Sequence, residues 1–173
     1  GISFAHPSRF TLVGTMNPEE GDLRPQLIDR FGLVVDVIGE SDTALRTEVI
    51  KRRLEFEKDP IEFKNAYQAQ QTELAENIEK AMELLSEVVF DDSLLETAAK
   101  ISTSLEVDGH RADIVMIKTA MTIAAYHQRN AATIEDLKEA ATYVMPHRMR
   151  RRPFDDSCYA GDTIKQMVDE MMR

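Results

Sequence analysis

The chain has 173 residues, with 31 acidic against 21 basic side chains and a net charge of −10. That length holds one or two small domains with real cores, and that charge argues against a nucleic-acid binder overall. No apolar run approaches the ~20 residues of a bilayer span, and no stretch reads as a signal peptide. Cys158 alone excludes an internal disulfide framework or a zinc site built on cysteine pairs, so a reducing cytoplasm is the expected setting.

The first forty residues read as α/β. Phe10 to Gly14 (FTLVG) and Leu33 to Ile38 (LVVDVI) are short apolar runs, each ended by a glycine, as expected of strands buried on both faces. Between them, Arg24 to Phe31 reads as a short helix with Pro25 near its first turn. Two strands cannot stand alone, so the expectation is a chain that begins inside a domain.

After Gly39 the pattern turns helical. Ser41 or Asp42 should cap a helix to about Lys58, broken by Asp59-Pro60. From Ile61 to Val89 the residues Phe63, Tyr67, Leu74, Ile78, Met82, Leu85 and Val88 recur at helical spacing, which predicts one long helix with a single apolar face. Asp91 or Asp92 should cap the next, bearing Leu94, Leu95, Ala98 and Ile101. Gly109 precedes an apolar helix with Ile114, Val115, Ala120, Met121 and Ala124. Thr133 with Asp136 predicts a capping box opening a helix to about Val144, stopped by Pro146. A last helix after Gly161 should place Ile164, Met167, Val168 and Met171 on one side.

A phosphate-cradling loop needs Gly-x-x-x-x-Gly-Lys-Ser/Thr, yet Lys118-Thr119 is the one Lys followed by Ser or Thr, and no such glycine precedes it. An apolar strand ending in magnesium-binding acids is also missing, since Asp169-Glu170 follows only Met167-Val168 in a helical context. The chain by itself is therefore expected to bind no nucleotide tightly. Asn17 has two readings: a turn former before Pro18, or an amide delivered by a strand to orient water at a γ-phosphate. Arg30 by composition reads as a surface cation beside Asp29. The basic run His147 to Arg152 reads as a helix cap, or as a partner for acids on a neighbouring subunit, ahead of a nucleic-acid contact. The four scattered histidines show no metal-ligand spacing, so no metal site is expected. The acidic stretch between Asp36 and Glu106 reads as solvated helix faces, and the nine methionines as core filler.

The continuous string Gly14-Thr15-Met16-Asn17-Pro18-Glu19-Glu20-Gly21-Asp22-Leu23-Arg24-Pro25-Gln26-Leu27-Ile28-Asp29-Arg30-Phe31-Gly32 resembles the region after the second nucleotide motif in magnesium chelatase I-type subunits, members of the AAA+ ATPase superfamily. The resemblance continues through Asp108-Gly109-His110-Arg111-Ala112-Asp113 and Pro146-His147-Arg148-Met149-Arg150-Arg151. It implies a mainly α fold: residues 1–40 as the last part of an α/β ATPase core, and residues 41–173 as a helical lid. It further implies that Asn17 is sensor 1, Arg30 the arginine finger with Asp29 at the same interface, and Arg111 sensor 2. The family's phosphate loop and magnesium-binding acids have no counterpart here.

The parent protein implied is an ATPase motor using ATP and Mg²⁺. It would act as a ring with D-type and catalytic chelatase subunits that insert magnesium, or equally cobalt, into a tetrapyrrole. The rival readings are a non-catalytic helical interaction module and another AAA+ motor acting on nucleic acid or protein.

Overall fold

The computed structural model describes residues 3, 6–17, 21, 23–149 and 161–171. The helices run α1 (Pro25–Ile28), α2 (Thr43–Lys58), α3 (Pro60–Ala66), α4 (Gln68–Leu84) with a 3₁₀ turn at Leu85–Glu87, α5 (Asp92–Ser104), α6 (Arg111–Tyr126), α7 (Ile134–Val144) and α8 (Gly161–Met171). The mainly α expectation holds. Cys158, Pro18 and Arg150 to Pro153 lie outside the described residues.

Local chemistry accounts for the helix starts. The Asp42 carboxylate accepts from the backbone N–H groups of Ala44 (2.8 Å) and Leu45 (2.9 Å), so Asp42 is the cap of α2. Asp59 does the same for Ile61 (3.0 Å) and Glu62 (2.9 Å), with Pro60 supplying the first turn of α3. Asp91 caps α5 through Leu94 N–H at 3.0 Å. The capping box of α7 forms as expected. At Gly109 the backbone turns at φ 76°, a left-handed value that suits glycine, just before α6 begins.

Three expectations are corrected. Among the described residues no strand forms: Phe10–Gly14 and Leu33–Ile38 carry no ladder, and Phe10, Leu12, Val13, Val35, Val37 and Ile38 are exposed. A strand exists only with a neighbour to take its N–H and C=O groups, and no described segment offers one. Second, the predicted long helix is two, because the chain leaves helical hydrogen bonding at Tyr67, whose ring tilts against Phe63 at 4.8 Å. Third, the apolar face of that region is not buried as a whole. Leu74, Ile78 and Met82 are exposed, whereas Ala81 and Val88 dock against Ala124 and Ala125 of α6. Period alone places residues on a face; only a partner buries it.

The core lies among α5 to α8. Leu94, Ala98 and Ile101 from α5, Ala112, Met116 and Ala120 from α6, Leu137, Ala140, Ala141 and Val144 from α7, and Ile164 and Val168 from α8 close on one another. Alanines at the contacts of α6 and α7 let those helices approach closely. Leu95 and Ile114 turn outward instead. The side chain of Met171 is not among those described. Lys138 ties α8 to α7 by reaching Asp169 at 2.8 Å and Glu135 at 3.1 Å. A parallel bridge, Val89 N–H to Asn130 C=O and Ala132 N–H to Val89 C=O, both 2.9 Å, staples the segment after α4 to the α6–α7 loop.

At that loop, Asp136 is 5% exposed and accepts a bidentate pair from Arg129, one arm at 2.7 Å, plus Thr133 N–H and hydroxyl at 2.8 Å each. Burial raises the Asp136 pKa, but the Arg129 and Thr133 bonds together outweigh it and hold the carboxyl below the usual range. A lowered folded value means stability present above the ordinary aspartate range and lost progressively as pH falls from that range through the lower folded value. Asp136→Ala should cost about 2–3 kcal/mol, since cap and ion pair go together and Arg129 can still turn to water. Urea melts should show that loss at neutral pH and a smaller difference between variant and parent below about pH 4; a constant difference across pH would refute it.

Candidate functional site

Of the site candidates Asn17, Asp29, Arg30 and Arg111, the tertiary fold joins Asp29 to Arg111. α1 is a single turn started by Pro25, and the segment after it brings Phe31 to the turn after α7 and Asp29 to the N-terminus of α6. There Arg111, the first residue of α6, donates through one Nη1 to both Asp29 C=O (3.1 Å) and Asp29 Oδ2 (3.0 Å). The two residues are 82 positions apart in sequence. Both side chains stay over half exposed, so the pair is screened and adds little stability by itself. Arg30 is exposed; its Nε donates to Gln26 C=O at 3.3 Å, within its own helical turn. Asn17 lies in the exposed stretch 6–17.

Two residues of the basic run complete this corner. Arg148 is 3% exposed at its side chain, and its Nη2 donates to Phe31 C=O at 2.7 Å and Asp29 C=O at 3.4 Å. Its Nε lies 3.7 Å from Asp29 Oδ1 and makes no hydrogen bond. Its Nη1 reaches Val144 C=O at 3.5 Å, at the end of α7. His147 Nε2 meets Phe31 C=O at 3.2 Å. A carbonyl only accepts, so Nε2 carries the proton, leaving Nδ1 bare and buried without a partner.

Burial pulls the Arg148 guanidinium below the usual arginine range; Asp29 opposes this and Arg111 adds to it. Burial likewise lowers His147, with Arg148 beside it working in the same direction, against the bond to Phe31 and the charge of Asp29. His147 is therefore biased to the neutral form. Val34 N–H, bonded to Tyr143 C=O at 3.0 Å, fixes the strip 29–34 along the end of α7.

The helix-capping expectation for the basic run is met weakly by Arg148 and Val144. The acid beside Arg148 is Asp29 of the same chain. No spacing in the sequence marks a partnership across 117 to 119 residues. Arg148 is buried and spent on carbonyls, so Arg111, over half exposed at the N-terminus of α6, is the guanidinium of this pair that a phosphate could meet. Among the described residues, no group of three or more His, Cys, Asp or Glu could hold a metal ion, and no helix is long and apolar enough to cross a membrane.

Comparison with known proteins follows the same lines. Residues 95–170 match the AAA lid domain. The chain is 49% identical over 170 residues to a magnesium-chelatase subunit ChlI homolog of Methanocaldococcus jannaschii, covering 98% of this chain and 47% of that protein. It is 41% identical over 166 residues to the magnesium-chelatase subunit ChlI of Anabaena variabilis (95% and 49%). With the magnesium-chelatase 38 kDa subunit of Chlorobaculum tepidum it shares 38% over 172 residues (99% and 44%). It thus spans about half the length of the curated relatives it matches. A crystal structure of a proposed ATPase from Cytophaga hutchinsonii superposes with a TM-score of 0.58 at 17% identity, over 88% of this chain and 48% of the other, a likeness of fold alone. With an AAA lid matched in its second half and ChlI-like sequence over nearly its whole length, the chain belongs to the magnesium-chelatase I-type family of the AAA+ superfamily.

Proposed function

We propose that this chain is the lid-bearing half of an ATPase motor subunit that works as a ring and drives metal insertion into a tetrapyrrole by D-type and catalytic partners. Residues 1–40 belong to the α/β core and residues 41–173 to the helical lid. Arg111 reads the nucleotide of its own subunit, Arg30 reaches the neighbour's with Asp29 at the same interface, and Asn17 is sensor 1. The observation that supports this most is the junction of Arg111 with Asp29. It sets a lid arginine and the residue preceding Arg30 side by side at the start of α6.

ATP with Mg²⁺ is the implied cofactor, and it supplies the phosphoryl group to be transferred. Arg111 would face its phosphates: its side chain is over half exposed, and planar donors at a helix N-terminus suit phosphoryl oxygens. Nothing in this chain provides the backbone cradle that grips a β-phosphate. The 173-residue chain should therefore give no saturable isotherm with Mg-ATP in calorimetric titration, whereas the full-length protein should bind it at one site per subunit. A one-to-one micromolar isotherm for the chain alone would overturn the division of labour proposed. Whether the metal inserted is magnesium or cobalt rests with the catalytic partner; among the described residues of this chain no acid, histidine or cysteine cluster could hold it.

A further inference from the structure

Arg30 is exposed and its guanidinium touches a carbonyl of its own turn, so its aim depends on the backbone that carries it. That backbone is held from outside on both sides. Before Arg30, the Asp29 carbonyl accepts from Arg111 at 3.1 Å and from Arg148 at 3.4 Å. After it, the Phe31 carbonyl accepts from Arg148 at 2.7 Å and from His147 at 3.2 Å. All three donors stand on the helical body, at the start of α6 and in the turn after α7. Arg148 makes its shortest bond here, while its reach to the α7 carbonyl is 3.5 Å, so capping α7 is its lesser task. Burying a guanidinium is costly, and a buried one aimed at two loop carbonyls specifies a geometry more than it adds stability.

We propose that Arg148 and His147 are positioning residues for Arg30: they clamp the carbonyls flanking it to the lid, so that the orientation of the lid decides where Arg30 is presented. This rests on the reading of Arg30 as the arginine offered to a neighbouring subunit. The device couples the two arginines of different reach. Arg111 bonds the same loop, so a lid moved by nucleotide in its own subunit carries Arg30 with it. His147 contributes through its neutral ring, whose Nε2–H is the donor.

The test uses the full-length protein in assembled rings. Arg148→Met keeps the length of the side chain and removes every donor. Since displacing a catalytic group by about 1 Å can cost on the order of 10²-fold, kcat for ATP hydrolysis should fall roughly 10- to 100-fold. KM should stay within about threefold, because ground-state binding is untouched. Mixing these subunits with ones lacking the phosphate-loop lysine should restore hydrolysis, as for an Arg30 variant. The double variant Arg30→Ala with Arg148→Met should be no slower than Arg30→Ala alone. Amide exchange at Val34 should quicken by about tenfold while the buried turns of α6 keep their protection. Arg148→Lys, with a donor but no fork, should fall between.

A raised KM without rescue by mixing, a double variant slower than Arg30→Ala, or faster exchange spread through α6 would each overturn the clamp. A normal Arg30→Ala defect beside a silent Arg148→Met overturns the clamp alone. A silent Arg30→Ala overturns the functional reading beneath it.

Discussion

Replacing Arg30 by Ala in the full-length protein should lower ATP hydrolysis by roughly 10³ to 10⁵, because an arginine supplied in trans stabilises charge on the transferring phosphoryl oxygens by about 4–7 kcal/mol. The fold should survive, since Arg30 is exposed and replacing a surface side chain costs little stability. Arg30→Lys should recover little of the rate, because a point charge lacks the planar fork. The site that fails should be the neighbour's. Mixed rings of Arg30→Ala subunits and subunits lacking the phosphate-loop lysine should therefore regain hydrolysis at interfaces that pair an intact arginine with an intact loop. Arg111→Ala should instead impair its own subunit's site. If mixed rings form and no ratio restores activity, the trans role of Arg30 is wrong.

Asn17→Ala should lower hydrolysis by roughly 10 to 10³, a loss of about 1.4–4 kcal/mol, with nucleotide affinity and ring assembly within a few-fold of the parent. Open α/β sheets present ligands at the carboxyl ends of their strands, so the sensor role of Asn17 requires that Phe10–Gly14, which pairs with no described segment of this chain, find a neighbouring strand in the full-length protein. An amide there that helps place water against the γ-phosphate acts more strongly in the transition state than on bound ATP, so turnover falls and binding does not. If Asn17 serves only the turn before Pro18, Asn17→Asp and Asn17→Ser should be nearly silent. An unchanged rate in the Ala variant, or a loss explained wholly by weaker ATP binding, would sink the sensor role.

The limits of reading this chain as a string are visible in particular elements. The stripe through Leu74, Ile78 and Met82 has a clear helical period, yet it is exposed, whereas Ala81, three residues from Ile78 and seven from Leu74, is buried against α6. Periodicity reports which residues share a face and is silent on whether another element covers it. The break at Tyr67 was illegible for a related reason: neither glycine nor proline marks it. The runs Phe10–Gly14 and Leu33–Ile38 read as strands from composition, but strand formation is a property of pairs of segments.

Neighbouring positions alone set the helix starts and the family. Asp42, Asp59, Asp91 and the Thr133–Asp136 box start their helices through bonds spanning two or three residues, a reach that adjacent positions fully specify. The long string from Gly14 to Gly32 carried the family, and with it Asn17, Asp29, Arg30 and Arg111 as candidates. It took the packed fold to reveal that Asp29 binds Arg111, and that His147 and Arg148 hold Phe31 from more than a hundred residues away. Such contacts leave no spacing to read. They arise because packing α5 to α8 around one core brings the start of α6 and the end of α7 to a common edge, where their unspent donors meet the carbonyls of a loop that has no ladder of its own.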